Sequence, residues 1–169
     1  MSSGSPGLPG GQHSFNMLNN QPPHQPVSTT FVHRNLPRLL LQARESLMVR
    51  TRPRLREHGL SDQQWRVLRV LGEHGTIETG RVAREAYILG PSLTGVLARM
   101  ERDGLVRRER DPADQRRTVV EATAKGRKMV ERLSHSVEAH YQWLEKSLGK
   151  PKLAQLYELL DELIALEQP

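Results

Sequence analysis

Residues 91–126 read PSLTGVLARMERDGLVRRERDPADQRRTVVEATAKG and change their period twice. Leu93, Val96, Leu97 and Met100 recur three or four residues apart, the spacing of one helix face, and Asp103-Gly104 supplies a stop. LVRRER (105–110) and RRTVVE (116–121) then flank DPADQ. β-Branched residues on either side of turn formers predict a two-stranded hairpin with a loop longer than the minimal turn. Thr123 opens another helix.

Upstream, Ser61 with Gln64 three residues later forms a capping box, and Trp65, Leu68, Val70 and Leu71 supply an apolar side. Gly72 and Gly75 are expected to end that helix. Thr79 to Tyr87 carries Val82, Ala83 and Ala86 at helical spacing, and Gly90-Pro91 is expected to be a turn. Helix, short helix, turn, second helix, hairpin is the order of a winged helix-turn-helix, whose second helix enters the DNA major groove. The reader would run from Pro91 to Asp103, with Ser92, Thr94 and Gly95 small enough for close approach to bases and Arg99 reaching a phosphate. By itself this segment also fits an ordinary amphipathic helix.

The hairpin favours the DNA reading. Arg107, Arg108, Arg110, Arg116 and Arg117 are expected on a projection where no core requires them, and arginine at a wing tip can enter a narrow, electronegative minor groove. Asp114 beside Arg116 would fix the guanidinium through a bidentate hydrogen bond; the alternative is a solvated ion pair worth about 0–1 kcal/mol. Candidate DNA contacts are therefore Ser92, Thr94, Gly95, Arg99, Arg110, Asp114, Arg116 and Arg117.

Helices flank this unit. Leu36, Leu39, Leu40, Ala43 and Leu47 predict one ending near His58-Gly59, kinked or restarted at Pro53, whose ring removes a donor and meets the Val49 carbonyl. Val130, Leu133, Val137, Tyr141, Leu144 and Leu148 hold near-heptad spacing until Gly149 to Pro151. A last helix carries two stripes, Leu153, Leu156, Leu160 and Leu163 beside Leu159 and Leu166. That is more apolar surface than a small reading head covers, so a homodimer is expected; the alternative is a last helix folded back on its own core. The expected organisation is a tail (1–33), an N-terminal dimerisation helix (34–59), a winged helix-turn-helix (60–122) and C-terminal dimerisation helices (123–169), mainly α with a small β-hairpin wing.

The first thirty residues are Pro-, Gly-, Asn- and Gln-rich without apolar period and read as disordered, with Met17 a possible native start. Charge is uneven. Residues 34–120 hold 18 basic and 11 acidic groups, and residues 121–169 hold 7 and 8. A central positive surface suits a polyanion. The absence of cysteine excludes disulfides and thiolate chemistry. The seven histidines form no ligand spacing, and no phosphate-cradling glycine loop, nucleophile elbow or carboxylate pair occurs. No enzyme, metal or cofactor is expected, and without a leader or membrane-length apolar run the reading is a cytoplasmic protein.

DGLVRRERDPADQRRTVVEATAKG resembles the wing of the MarR family of bacterial regulators, through Asp114-x-Arg116 and Thr123-x-x-Gly126, and PSLTGVLARMERDGL resembles its recognition helix. Ala122 departs from the leucine common there. Within the family, LQARE, Arg52-Pro53, QQWR and ILGPSLTGVLARMERDGL are similar to a regulator of aromatic-acid degradation. The resemblance implies a dimer on palindromic double-stranded DNA and a cavity between dimer helices and reading head for a small aromatic acid or phenol. For that cavity Arg44 would meet a carboxylate, Met48 and Trp65 would form walls, and Tyr87 would offer a polar tip. The function expected is a ligand-responsive repressor. The alternatives are a sequence-tolerant chromosome-binding protein and a winged-helix interaction module that contacts no DNA.

Overall fold

The computed structural model describes residues 31–166, so nearly all of the expected tail, and Met17 with it, lies outside the described residues. Residues 31–35 form no regular element and belong, with Leu36, to a unit separate from Pro37 onward. The elements are α1 (Leu36–Glu57), α2 (Asp62–His74), β1 (Ile77–Glu78), α3 (Thr79–Glu85), α4 (Gly90–Arg102), β2 (Val106–Arg110), β3 (Thr118–Ala122), α5 (Ala124–Leu148) and α6 (Lys150–Ala165). Mainly α with a hairpin wing, this is the predicted class.

Local chemistry sets most boundaries. At the start of α2 the Gln64 amide donates to Ser61 Oγ at 3.2 Å and the Ser61 amide donates to Gln64 Oε1 at 2.8 Å, the reciprocal capping box. Gly59, at φ +70°, closes α1 with Leu60 N–H on Leu55 O and Gly59 N–H on Arg56 O. Thr123 caps α5 by accepting from the Gly126 amide at 3.1 Å.

Three local expectations are corrected. Helix α1 runs through Pro53 without a restart, and Leu55, 1% exposed, anchors the following turn in the core. Gly72 lies inside α2, facing Val130 of α5 amid buried Val70 and Leu71; Gly75, at φ +69°, ends the helix. Gly90 and Pro91 begin α4, where proline needs no amide donor, and the chain turns instead at Ala86 and Tyr87.

The sheet has three antiparallel strands in the order β1-β3-β2. Strand β1 pairs Ile77 with Val120, a contact two residues long with no sequence period to announce it. Strands β2 and β3 pair Val106 with Ala122 through Arg110 with Thr118, leaving 111–117 as the tip. Leu68, Val82, Leu93, Leu97, Met100 and Val120 form the centre of one core joining α2, α3, α4 and the sheet, each worth about 1.5–3 kcal/mol of apolar burial. By contrast, α1 and α6 bury fully only Leu55 and Leu153.

Candidate nucleic-acid interface and effector cleft

Helix α4 is divided cleanly. Leu93, Val96, Leu97 and Met100 are buried, which leaves Ser92, Thr94, Gly95 and Arg99 together on the solvent face. Thr94 Oγ1 donates to Gly90 O at 3.3 Å, so its lone pairs remain outward. Gly95 provides a shallow spot roofed by the Arg99 guanidinium, 3.8 Å from where a Cβ would stand.

At the wing tip Asp114 divides its carboxylate. One oxygen meets Arg116 Nε at 3.3 Å and its amide at 3.0 Å; the other meets Arg117 Nε at 3.3 Å. The bidentate Asp114–Arg116 pair expected from sequence is thus a shared clamp on two arginines. Their settings differ: the Arg116 side chain is 93% exposed, whereas Arg117 also reaches Glu78 of β1 at 3.5 Å. Asp111 shapes the loop, its carboxylate accepting from the Ala113 amide at 2.8 Å. Arg110 is exposed on the last position of β2.

Arg107 and Arg108 do not project as expected. Arg107 crosses the hairpin to its register partner Glu121 at 2.8 Å, and Arg108 Nε bonds Glu101 of α4 at 3.0 Å. A wing needs a fixed angle to its reader helix, and Glu101 supplies it, taking the Arg108 amide at 3.3 Å as well. The Arg108 hydrogen bond holds the Glu101 carboxyl below its ordinary 4.5, against a smaller opposing effect of burial. The Glu121 carboxyl is held low too, chiefly by the Thr76 hydroxyl and then by Arg107.

Between α2 and α5 lies a cleft of about 370 Å³ lined by Trp65, Arg69, Val130, Ser134, Val137 and Tyr141, within the size range of small-molecule sites. Its walls are mixed: Trp65, Val130 and Val137 are apolar, Arg69 is the cation, paired with Glu73 at 3.2 Å, and Glu73 and Glu138 bring two carboxylates to the lining. Of the four residues expected to line a pocket, only Trp65 lines this cleft. Met48 packs against the core, and Arg44 pairs with Glu45 at 2.8 Å and Asp62 at 3.6 Å. Tyr87 is 81% exposed in the α3–α4 turn, so the structure does not bring the four together. Arg69 was legible as the residue one turn beyond Trp65; Tyr141 required knowing that α5 packs on α2.

Reader helix, clamped wing and flanking helices define a winged helix-turn-helix protein. The profile of the MarR family matches residues 58–117. The chain is 44% identical over 128 residues to the HTH-type transcriptional regulator FarR of Neisseria gonorrhoeae, covering 76% of this chain and 88% of FarR. It is 42% identical over 135 residues to the homoprotocatechuate degradative operon repressor of Escherichia coli, covering 80% and 91% respectively. The expected likeness to a regulator of aromatic-acid degradation is thereby met. Among solved structures, NadR in complex with 4-hydroxyphenylacetate superposes with a TM-score of 0.74 at 42% identity, covering 82% of this chain and 99% of NadR. The chain belongs to the MarR family of transcriptional regulators. Among the described residues no helix is long and apolar enough to cross a membrane.

Proposed function

We propose that the protein is a cytoplasmic repressor that occupies an inverted repeat as a homodimer and is released when a small aromatic acid binds. The observation that carries this reading is the pairing, on one scaffold, of an exposed reader face and clamped wing with a partly apolar, arginine-bearing cleft between α2 of the reading unit and α5. Ser92, Thr94, Gly95 and Arg99 would enter the major groove, Arg116 the minor groove, and Arg110 and Arg117 would meet flanking phosphates. Asp114 would hold the two tip arginines. In the cleft, Trp65, Val130 and Val137 would sandwich an aromatic ring, Arg69 would exchange Glu73 for the ligand carboxylate, and Tyr141 would take a ring hydroxyl.

Dimerisation is supported by α1 and α6, which leave Leu41, Leu159 and Ile164 more than half exposed and so ask for a partner surface. Two readers about 34 Å apart would address consecutive major grooves. An effector preferring the DNA-free conformer by about 1–3 kcal/mol would change operator affinity roughly 5- to 150-fold.

The test is fluorescence anisotropy of the purified protein on its own upstream DNA and on a scrambled duplex at near-physiological salt, with and without 4-hydroxyphenylacetate and related acids. Selective binding relieved by one acid is expected. Equal affinity for both duplexes would favour a general DNA binder, and binding to neither would favour an interaction module.

A further inference from the structure

Tyr87 is the only non-glycine residue with positive φ among the described residues, at +49°. It stands in the turn between α3 and α4, where its backbone sets the entry angle of the reader. A side chain costs energy in that region, and glycine would remove the cost. Burial does not hold Tyr87 there, since the residue is 81% exposed. What holds the turn is Arg66 of α2, whose Nη1 donates to Ala86 O at 2.6 Å and to Tyr87 O at 3.0 Å. These carbonyls precede and follow the strained residue, so one guanidinium nitrogen fixes both flanking peptides. The remaining turn bonds, Tyr87 N–H on Arg84 O and Ile88 N–H on Ala83 O, close the end of α3 and leave both carbonyls to Arg66.

The contact is partly desolvated. Arg66 Nε is buried without a hydrogen-bond partner, and burial lowers the guanidinium's affinity for its proton, with Arg44 adding to the effect and Asp62 opposing it. Partial desolvation of a cation, with Nε left unpaired, has a cost that its two bonds to backbone carbonyls offset. Arg66 also lies on the same helix as Trp65 and Arg69, immediately beside the first and one turn from the second.

We infer that Arg66 is a positioning residue for DNA recognition: it clamps the left-handed Tyr87 turn and thereby sets α4 against the groove, linking the cleft-lining helix to the reader. This rests on the reading of α4 as the DNA-contacting helix.

The test is a double-mutant cycle on operator affinity with the full-length dimer, using Arg66→Met and Tyr87→Gly. Arg66→Met is expected to weaken operator binding about tenfold, with little loss in a Tyr87→Gly background, because glycine takes positive φ unaided. If Arg66 only packs, its removal would cost the same in both backgrounds, and that result, or an unchanged affinity in the Tyr87 background, overturns the inference. Should Arg66→Met not fold, judged by circular dichroism, the same cycle runs with Arg66→Lys. Failure of the wild-type protein to bind any operator would instead sink the DNA reading itself, so the two failures are distinct.

Discussion

Gly126 is the position where the structure and local propensity make opposite predictions. Inside the first turn of α5, Gly126→Ala should stabilise the helix by up to about 1 kcal/mol on propensity alone. A Cβ built there stands 2.2 Å from the Leu105 carbonyl oxygen and 3.4 Å from Ala122 Cβ. Helix and wing base must separate by at least 0.8 Å to restore even 3.0 Å of clearance. That seam is held by Thr123, whose amide donates to Leu105 O at 3.0 Å and whose hydroxyl donates to Gly104 O at 2.7 Å. Overpacking of this kind costs about 1–3 kcal/mol, and each strained hydrogen bond about 1 kcal/mol more. The expected net loss is about 2–4 kcal/mol, or roughly 5–15 °C in Tm for a chain of this length. Gly72→Ala is the control: its Cβ would find Val130 Cγ1 at 3.8 Å, ordinary contact, so the melt should stay level or rise slightly. Thermal denaturation followed by circular dichroism decides the matter. A Gly126→Ala protein as stable as wild type would refute the claim that the wing abuts α5 through this glycine.

Other outcomes follow from the same geometry. Arg116→Ala should weaken operator binding about tenfold while leaving the melt unchanged, since the side chain is 93% exposed; filter binding beside calorimetry measures both. Asp114→Ala frees two arginines without removing their charge, so a smaller loss with an unaltered salt slope is expected; a loss exceeding that of Arg116→Ala would contradict the clamp. Arg69→Met should weaken binding of the aromatic acid about tenfold in isothermal titration, and an unchanged affinity would remove Arg69 from the cleft assignment. Glu101 has a folded pKa below 4.5, so its contribution to stability is complete above that pH and is lost as pH falls through the folded value. Glu101→Gln should therefore flatten the fall of Tm on acidification below 4.5, and an identical slope would show that the Arg108 pair is not linked to folding.

The sequence alone determined whatever depends on neighbours along the chain. Ser61 and Gln64 meet because a helix start places them three residues apart, and Leu93 to Met100 can bury only one face because the helix turns every 3.6 residues. The open face of the reader, with Ser92, Thr94, Gly95 and Arg99, was the complement of that stripe and equally legible. The arginine-rich tip followed from turn chemistry. Tertiary structure decided what depends on residues brought together from afar. Strand β1 exists only because β3 passes Ile77, and Arg107 and Arg108 are bridges, not projections, because Glu121 and Glu101 lie opposite them. Leu55 is anchored in the core two residues past Pro53, and the Tyr87 turn is bonded through the Ala86 carbonyl to Arg66, twenty residues before Ala86. The cleft belongs to this second kind: Trp65 could be picked out by type, but its companions Val130 and Tyr141 come from α5, and only packing of one helix on another selects which residues of each share a cavity.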